Sequence, residues 1–125
     1  MSAEAKGQVK VSEAELAIMQ ALWQAEAGLT AQQLGERLAE RKWKRTTIAT
    51  LLGRLADKGA VSAEKQGRAW VYRARLAEED FRAAAVDSLL ERVYHGSVGA
   101  LAASLVANRE LTAADIEELR QIFKL

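Results

Sequence analysis

The amino-acid sequence predicts a mainly α fold with one small β-hairpin: three helices, the hairpin, then three more helices. Three observations carry this. Apolar residues recur at three and four positions, the spacing of one helix face, over most of the chain. A cap-and-staple pattern that marks helix starts occurs three times. Around Gly67, between residues 60 and 73, the apolar period changes to two. No proline interrupts the 125 residues.

The first ten residues are small and polar and read as a loose arm. At Val11-Ser12-Glu13-Ala14-Glu15-Leu16, Ser12 is placed to cap a helix and Glu15 to return the bond, while Val11 staples against Leu16. This first helix runs to Gln24, with Leu16, Met19, Leu22 and Trp23 facing inward, and Ala27-Gly28 ends it. The device recurs at Leu29-Thr30-Ala31-Gln32-Gln33-Leu34. It opens a short second helix over Ala31 to Glu40 with Leu34 and Leu38 as its apolar side; Leu29 also suits a short strand.

Arg41-Lys42-Trp43 leads into the third helix, within Trp43 to Gly59. Its buried face is Ile48, Leu51, Leu52 and Leu55. Thr46 is a better N-cap than Lys44, and Gly59 is a stop that takes the left-handed conformation without a Cβ clash. Val61 and Ala63, then Trp70 and Tyr72, alternate with polar neighbours about the turn Lys65-Gln66-Gly67-Arg68. They predict strands Ala60–Lys65 and Ala69–Arg73.

The fourth helix carries Phe81, Ala85, Leu89 and Val93, widened by Val86, Leu90 and Tyr94, and stops at Gly96. Ser97 caps the fifth, whose apolar face is Val98, Leu101, Ala102, Leu105 and Val106. Leu111-Thr112-Ala113-Ala114-Asp115-Ile116 repeats the cap and staple for a last helix with Ile116, Leu119, Ile122 and Phe123 on one side. Three helices followed by a hairpin make a winged helix-turn-helix. The expected organisation is thus an arm over 1–10, a winged domain over 11–75 and a helical domain over 76–125.

Charge is distributed unevenly. The chain totals +1, but residues 37–75 hold eleven basic and three acidic side chains, net +8, between flanks of net −3 and −4. A basic middle between acidic ends suits a nucleic-acid partner. The third helix supplies the chemistry. Thr47, Thr50 and Arg54 lie three and four apart on a face other than the apolar one. Arginine can bond guanine through two contacts, and threonine offers a hydroxyl and a methyl. Lys44 and Arg45 stand at the helix start, and Lys65 and Arg68 at the hairpin tip, where phosphates are held.

About fifty residues after the hairpin bury too little surface to be stable alone. Their wide apolar faces either fold back on the winged domain or pair with a second copy. The second option suits a DNA reader, which gains from two-fold symmetry. It makes Phe81, Leu89, Val93, Val98, Leu101, Leu105, Ile116, Leu119, Ile122 and Phe123 the expected dimer interface.

The motifs in order are Val11-Ser12-Glu13-Ala14-Glu15, Leu22-Trp23, Leu29-Thr30-Ala31, Trp43 with Thr46-Thr47-Ile48-Ala49-Thr50-Leu51-Leu52-Gly53-Arg54-Leu55, and Lys58-Gly59. Then come Glu64-Lys65-Gln66-Gly67-Arg68-Ala69-Trp70-Val71-Tyr72, Glu91-Arg92-Val93-Tyr94-His95-Gly96-Ser97 and Leu111-Thr112 with Asp115-Ile116-Glu117-Glu118-Leu119. Over residues 10–125 they resemble the penicillinase-repressor (BlaI/MecI/CopY) family of bacterial transcription repressors. The resemblance implies a homodimer on an imperfectly palindromic double-stranded operator, controlling β-lactamase or penicillin-binding-protein genes. It places the recognition positions on Thr46, Thr47, Thr50 and Arg54. It also implies a sensor-activated protease as partner, cutting within the dimerisation domain. The matching positions are Ser104 and Leu105, where the cleaved branch has asparagine and phenylalanine. The copper-responsive branch carries a cysteine-rich metal motif; this chain has no cysteine, which excludes copper sensing through thiolates.

Other function classes fare worse. No apolar run is long enough to span a membrane, the N-terminus lacks the apolar core of a signal peptide, and a cytoplasmic protein is expected. No phosphate loop or metal spacing occurs, so no cofactor or metal is expected. His95, the one histidine, reads as a helix-end or surface residue, not a catalytic base. Trp23, Trp43, Trp70 and Tyr72 read as core or wing support, not as a ligand pocket. The rival reading is a winged helix that binds protein instead of DNA; salt-dependent DNA affinity separates the two.

Overall fold

A computed structural model describes residues 9–108 and 110–123, and of Phe123 only the backbone. The elements are α1 (Glu13–Gln24), β1 (Leu29–Thr30), α2 (Ala31–Arg37), a 3-10 turn (Ala39–Arg41) and α3 (Arg45–Asp57). They continue with β2 (Val61–Gln66), β3 (Ala69–Ala74), α4 (Glu78–Val93), α5 (Val98–Ala107) and α6 (Ala113–Phe123). The chain forms two compact units, Met1–Ala85 and Val86–Leu125. No described helix is long and apolar enough to cross a membrane.

The first unit is the winged helix-turn-helix. Its three strands lie antiparallel in the order β1-β3-β2, with Leu29 opposite Tyr72 and Ala63 opposite Tyr72 on the other side. One core joins all of these elements. Ile18, Met19 and Leu22 of α1 meet Leu34 of α2, Ile48, Leu51, Leu52 and Leu55 of α3, and Leu29, Val61 and Leu76. Ile18, absent from the expected inward set, is fully buried. The helix starts follow the local chemistry. Ser12 Oγ accepts from the Glu15 N–H and Glu15 Oε1 from the Ser12 N–H, and Thr30 and Gln33 repeat the exchange. At the end of α3, Gly59 has φ +79°, the Ala60 N–H bonds the Leu55 carbonyl and the Gly59 N–H that of Ala56. That is a Schellman stop, and both Leu55 and Ala60 are buried in the core cluster.

Several details differ from expectation. The second helix stops at Arg37 and continues as the 3-10 turn. Helix α1 ends before Gly28, and Gly28 is required for a different reason. A Cβ there would collide with Val71 Cγ1 and lie 3.0 Å from the Tyr72 carbonyl oxygen. Glycine lets β1 approach β3. Of the expected arm, residues 1–8 lie outside the described residues, while Val9 packs against the core. The junction after the hairpin is fastened to α1, since Trp23 Nε1 donates to the Leu76 carbonyl at 2.9 Å and its ring meets Phe81 at 5.6 Å. Leu76 and Phe81, assigned from the sequence to the second segment, therefore pack in the first unit.

In the second unit Ser97 caps α5 through the Ala100 N–H, and Thr112 and Asp115 exchange side-chain bonds at the start of α6. His95 and Gly96, with φ +50° and +82°, turn the chain after α4. Leu89, Val93, Val98, Val106, Ile116, Leu119 and Ile122 are all exposed. Leu101 and Leu105 are half-buried.

Candidate nucleic-acid interface

Burial of Ile48, Leu51, Leu52 and Leu55 fixes which face of α3 is left to solvent. Arg45, Thr46, Thr50 and Arg54 are exposed and Thr47 is half-exposed. Thr46, Thr47, Thr50 and Arg54 come together around one shallow concavity floored by Leu51. Thr50 Oγ1 donates to the Thr46 carbonyl at 2.9 Å. Its proton is thus committed to the helix, and what it offers outward is an acceptor oxygen and a methyl group. No hydrogen bond or ion pair engages the Arg54 guanidinium donors among the described residues.

The start of α3 departs from the expected cap. The N-cap is Lys44, with no side-chain bond, and Thr46 lies inside the first turn. The carbonyl of Lys44 accepts from the Thr47 and Ile48 N–H groups. The N–H groups of Arg45 and Thr46 have no acceptor among the described residues. They point forward at the positive end of the helix dipole, beside two cationic side chains, an arrangement suited to an anionic oxygen.

Two neighbouring features frame this helix. In the approach to α3, the Arg41 guanidinium lies 5.2 Å from the Trp43 ring centroid, and the half-buried Trp43 packs against the core. In the hairpin, Gly67 has φ +63° and Arg68 does not have positive φ. Glycine at the first central position of a two-residue loop is the requirement of a type II′ turn. Lys65 and Arg68 are exposed on either side of it. Trp70 does not support the wing from within: half of its surface is open.

A half-buried ion pair holds the far end of α3. Glu15, 1% exposed, receives Lys58 Nζ at 2.6 Å on Oε1, and the same ammonium donates to the Lys10 carbonyl at 2.8 Å. Burial pushes the Glu15 carboxyl up, but the Lys58 ammonium and the Ser12 N–H outweigh it and hold the group below its ordinary value. Sequence spacing could not pair these two residues, one on α1 and the other capping the end of α3.

An exposed cationic helix on a winged core is a DNA-binding arrangement, and comparison with known proteins agrees. Residues 11–124 match the penicillinase repressor family. The chain belongs to that family. The penicillinase repressor of Bacillus licheniformis is 32% identical over 115 residues, 92% of this chain and 90% of the relative. The methicillin resistance regulatory protein MecI of Mammaliicoccus sciuri is 28% identical over 113 residues, 90% of this chain and 92% of the relative. Among solved structures, the DNA binding domain of the repressor BlaI superposes with a TM-score of 0.53 at 33% identity, covering 60% of this chain and 92% of that one. This member of the family is a DNA-binding transcriptional repressor.

Proposed function

We propose that this penicillinase-repressor family member acts as a homodimer on an imperfectly palindromic operator, one winged unit per half-site, upstream of β-lactamase or penicillin-binding-protein genes. The observation that carries the reading is the solvent face of α3, where Thr46, Thr47, Thr50 and Arg54 converge and Lys44 and Arg45 flank an uncapped helix start. In the major groove Arg54 takes a guanine edge, Thr50 accepts from a base amino group, and Lys44, Arg45, Lys65 and Arg68 hold phosphates. The exposed apolar residues of α5 and α6 support pairing with a second copy, since surface of this kind gains by burial. The reading places the protein in the cytoplasm with the DNA.

Release from DNA follows from separating the subunits, because a second half-site contact made nearly intramolecular adds about 10²–10⁴-fold to affinity. Ser104 and Leu105 stand in the last turn of α5, where Asn108 closes back on the Ser104 carbonyl through its N–H at 3.0 Å and its side-chain amide at 2.8 Å. A sensor-activated protease acting there must first unwind that turn.

Selection of bound sequences from random duplexes by the intact protein tests the reading, together with sedimentation of Val98→Asp/Ile122→Asp. Both positions are exposed, so the new carboxylates stay hydrated in a monomer and are penalised only where a partner would bury them. The expected results are an enriched imperfect palindrome, and a folded but monomeric variant that loses it. Enrichment of no sequence, or tight palindrome binding by the monomeric variant, refutes the proposal.

A further inference from the structure

Trp70 is the one tryptophan of the three whose side chain lies largely in the open, 51% exposed, while Trp23 and Trp43 both pack against the core. It stands on β3 directly opposite Lys65 on β2. Directly opposed residues of an antiparallel pair send their side chains to the same face, within contact range. The next pair toward the tip is Gln66 opposite Ala69, and Arg68 occupies the turn itself. The indole therefore shares its face with Lys65 near the outer end of the hairpin, with Arg68 two residues away in the turn. Neither an aromatic nor a cation–π partner engages it among the described residues. Its strand neighbour two positions on, Tyr72, shares that face and reaches the core; Trp70 lies beyond the point where the core ends.

We propose, resting on the DNA-binding reading above, that Trp70 is a contact residue of the wing, packing its ring against the deoxyribose wall of the duplex while Lys65 and Arg68 engage the flanking phosphates. The duplex backbone presents this pairing: sugar carbons, apolar and in van der Waals reach, between anionic oxygens. An indole is suited to it, with an apolar body for the sugar and an N–H to donate to a phosphate or to water. The two cations argue for this occupant over another apolar protein surface, because burying Lys65 and Arg68 against such a surface leaves their charges unpaired. The contact is with backbone, not with a base edge, so it adds affinity for duplex of any sequence.

The test compares the intact protein with Trp70→Ala and Trp70→Phe, each titrated with an operator duplex and a scrambled duplex at several salt concentrations. Trp70→Ala is expected to weaken both DNAs about 10-fold for each wing in contact, the effect of removing one apolar patch per subunit. The slope of log affinity against log salt should stay unchanged, since no charge is removed and counterion release is preserved. Trp70→Phe should recover part of the affinity. In the parent, emission should shift to shorter wavelength on DNA addition, and that shift should vanish in both variants. Unchanged affinity, an emission shift abolished without any weakening of binding, or a weakening traced by sedimentation to poorer self-association overturns the role of Trp70. Failure of the parent itself to bind either duplex with salt dependence is a different result, and overturns the DNA-binding reading beneath it.

Discussion

Replacing Glu15 by Gln isolates the ion pair that ties α1 to the C-terminal end of α3. Glutamine keeps the shape of the side chain and can still accept from the Ser12 N–H with its amide oxygen. What it loses is the charge facing Lys58 Nζ at 2.6 Å. A hydrogen bond to a charged group contributes about 1.5–3 kcal/mol. The Lys58 side chain is 35% exposed, so water recovers part of that on mutation, leaving an expected loss of about 1–2 kcal/mol. For a domain of this size, each kcal/mol moves the melting temperature by about 4–8 °C. The loss also has a pH signature. The Glu15 carboxyl is held below its ordinary value of 4.5 in the folded state, so its contribution is present above that value and disappears as pH falls through the lower, folded one. Urea denaturation of parent and Glu15→Gln at neutral pH and at progressively acidic pH measures it. The stability gap should be full near pH 7 and close as the solution becomes more acidic than the ordinary carboxylate range. A gap that persists unchanged in acid, or none at neutrality, refutes the account of the pair.

The remaining predictions concern the proposed DNA face and one close backbone approach. Arg54→Ala should cost about 1–3 kcal/mol on operator DNA and relax preference at one position of the site; equal losses on operator and scrambled duplex would end its assignment as a base reader. Lys65→Ala and Arg68→Ala should weaken both DNAs alike and flatten the salt slope by about one unit for each phosphate left without its cation on each subunit, as titrations at several salt concentrations will record. Gly28→Ala should destabilise the winged unit by about 1–3 kcal/mol through the collision with Val71 and the crowding of Tyr72; thermal unfolding at the parent's melting temperature would contradict the close approach of β1 to β3.

Helix starts were legible because capping is local. Ser12 with Glu15, Thr30 with Gln33, and Thr112 with Asp115 each lie three residues apart, and a cap answers to nothing further away. The solvent stripe of α3 was legible for a similar reason: once Ile48, Leu51, Leu52 and Leu55 take the inside, the outside of the helix is determined. What remained hidden depends on distant partners. The meeting of Glu15 with Lys58, and of Gly28 with β3, are consequences of tertiary packing. The openness of Trp70 was hidden because alternation along a strand says which residues share a face, not how far along it the core extends. Intrinsic preference favours Thr46 as a cap, yet the helix starts one residue before it, at Arg45.

That last departure is informative about the helix as a whole. Residues 45–57 include three threonines, an isoleucine and a glycine, all weaker helix formers than alanine or leucine. The first turn lacks a side-chain cap, and it is the turn with free N–H groups and two adjacent cations. Local preference alone would leave such a helix marginal. Its stability comes from elsewhere: four buried apolar residues along one face, the Schellman stop at Gly59, and the Lys58 ammonium locked to Glu15. The anchoring is thus concentrated on the inner face and at the C-terminal end, while the N-terminal end and outer face are left with unfilled hydrogen-bonding capacity. A cap at the start of α3 would stabilise the free protein by occupying the same N–H groups that a phosphate would meet. Sites where local rules are broken and compensated at a distance are where function is expected, and here the break lies at the N-terminal end of one thirteen-residue helix and the compensation along its inner face and at its far end.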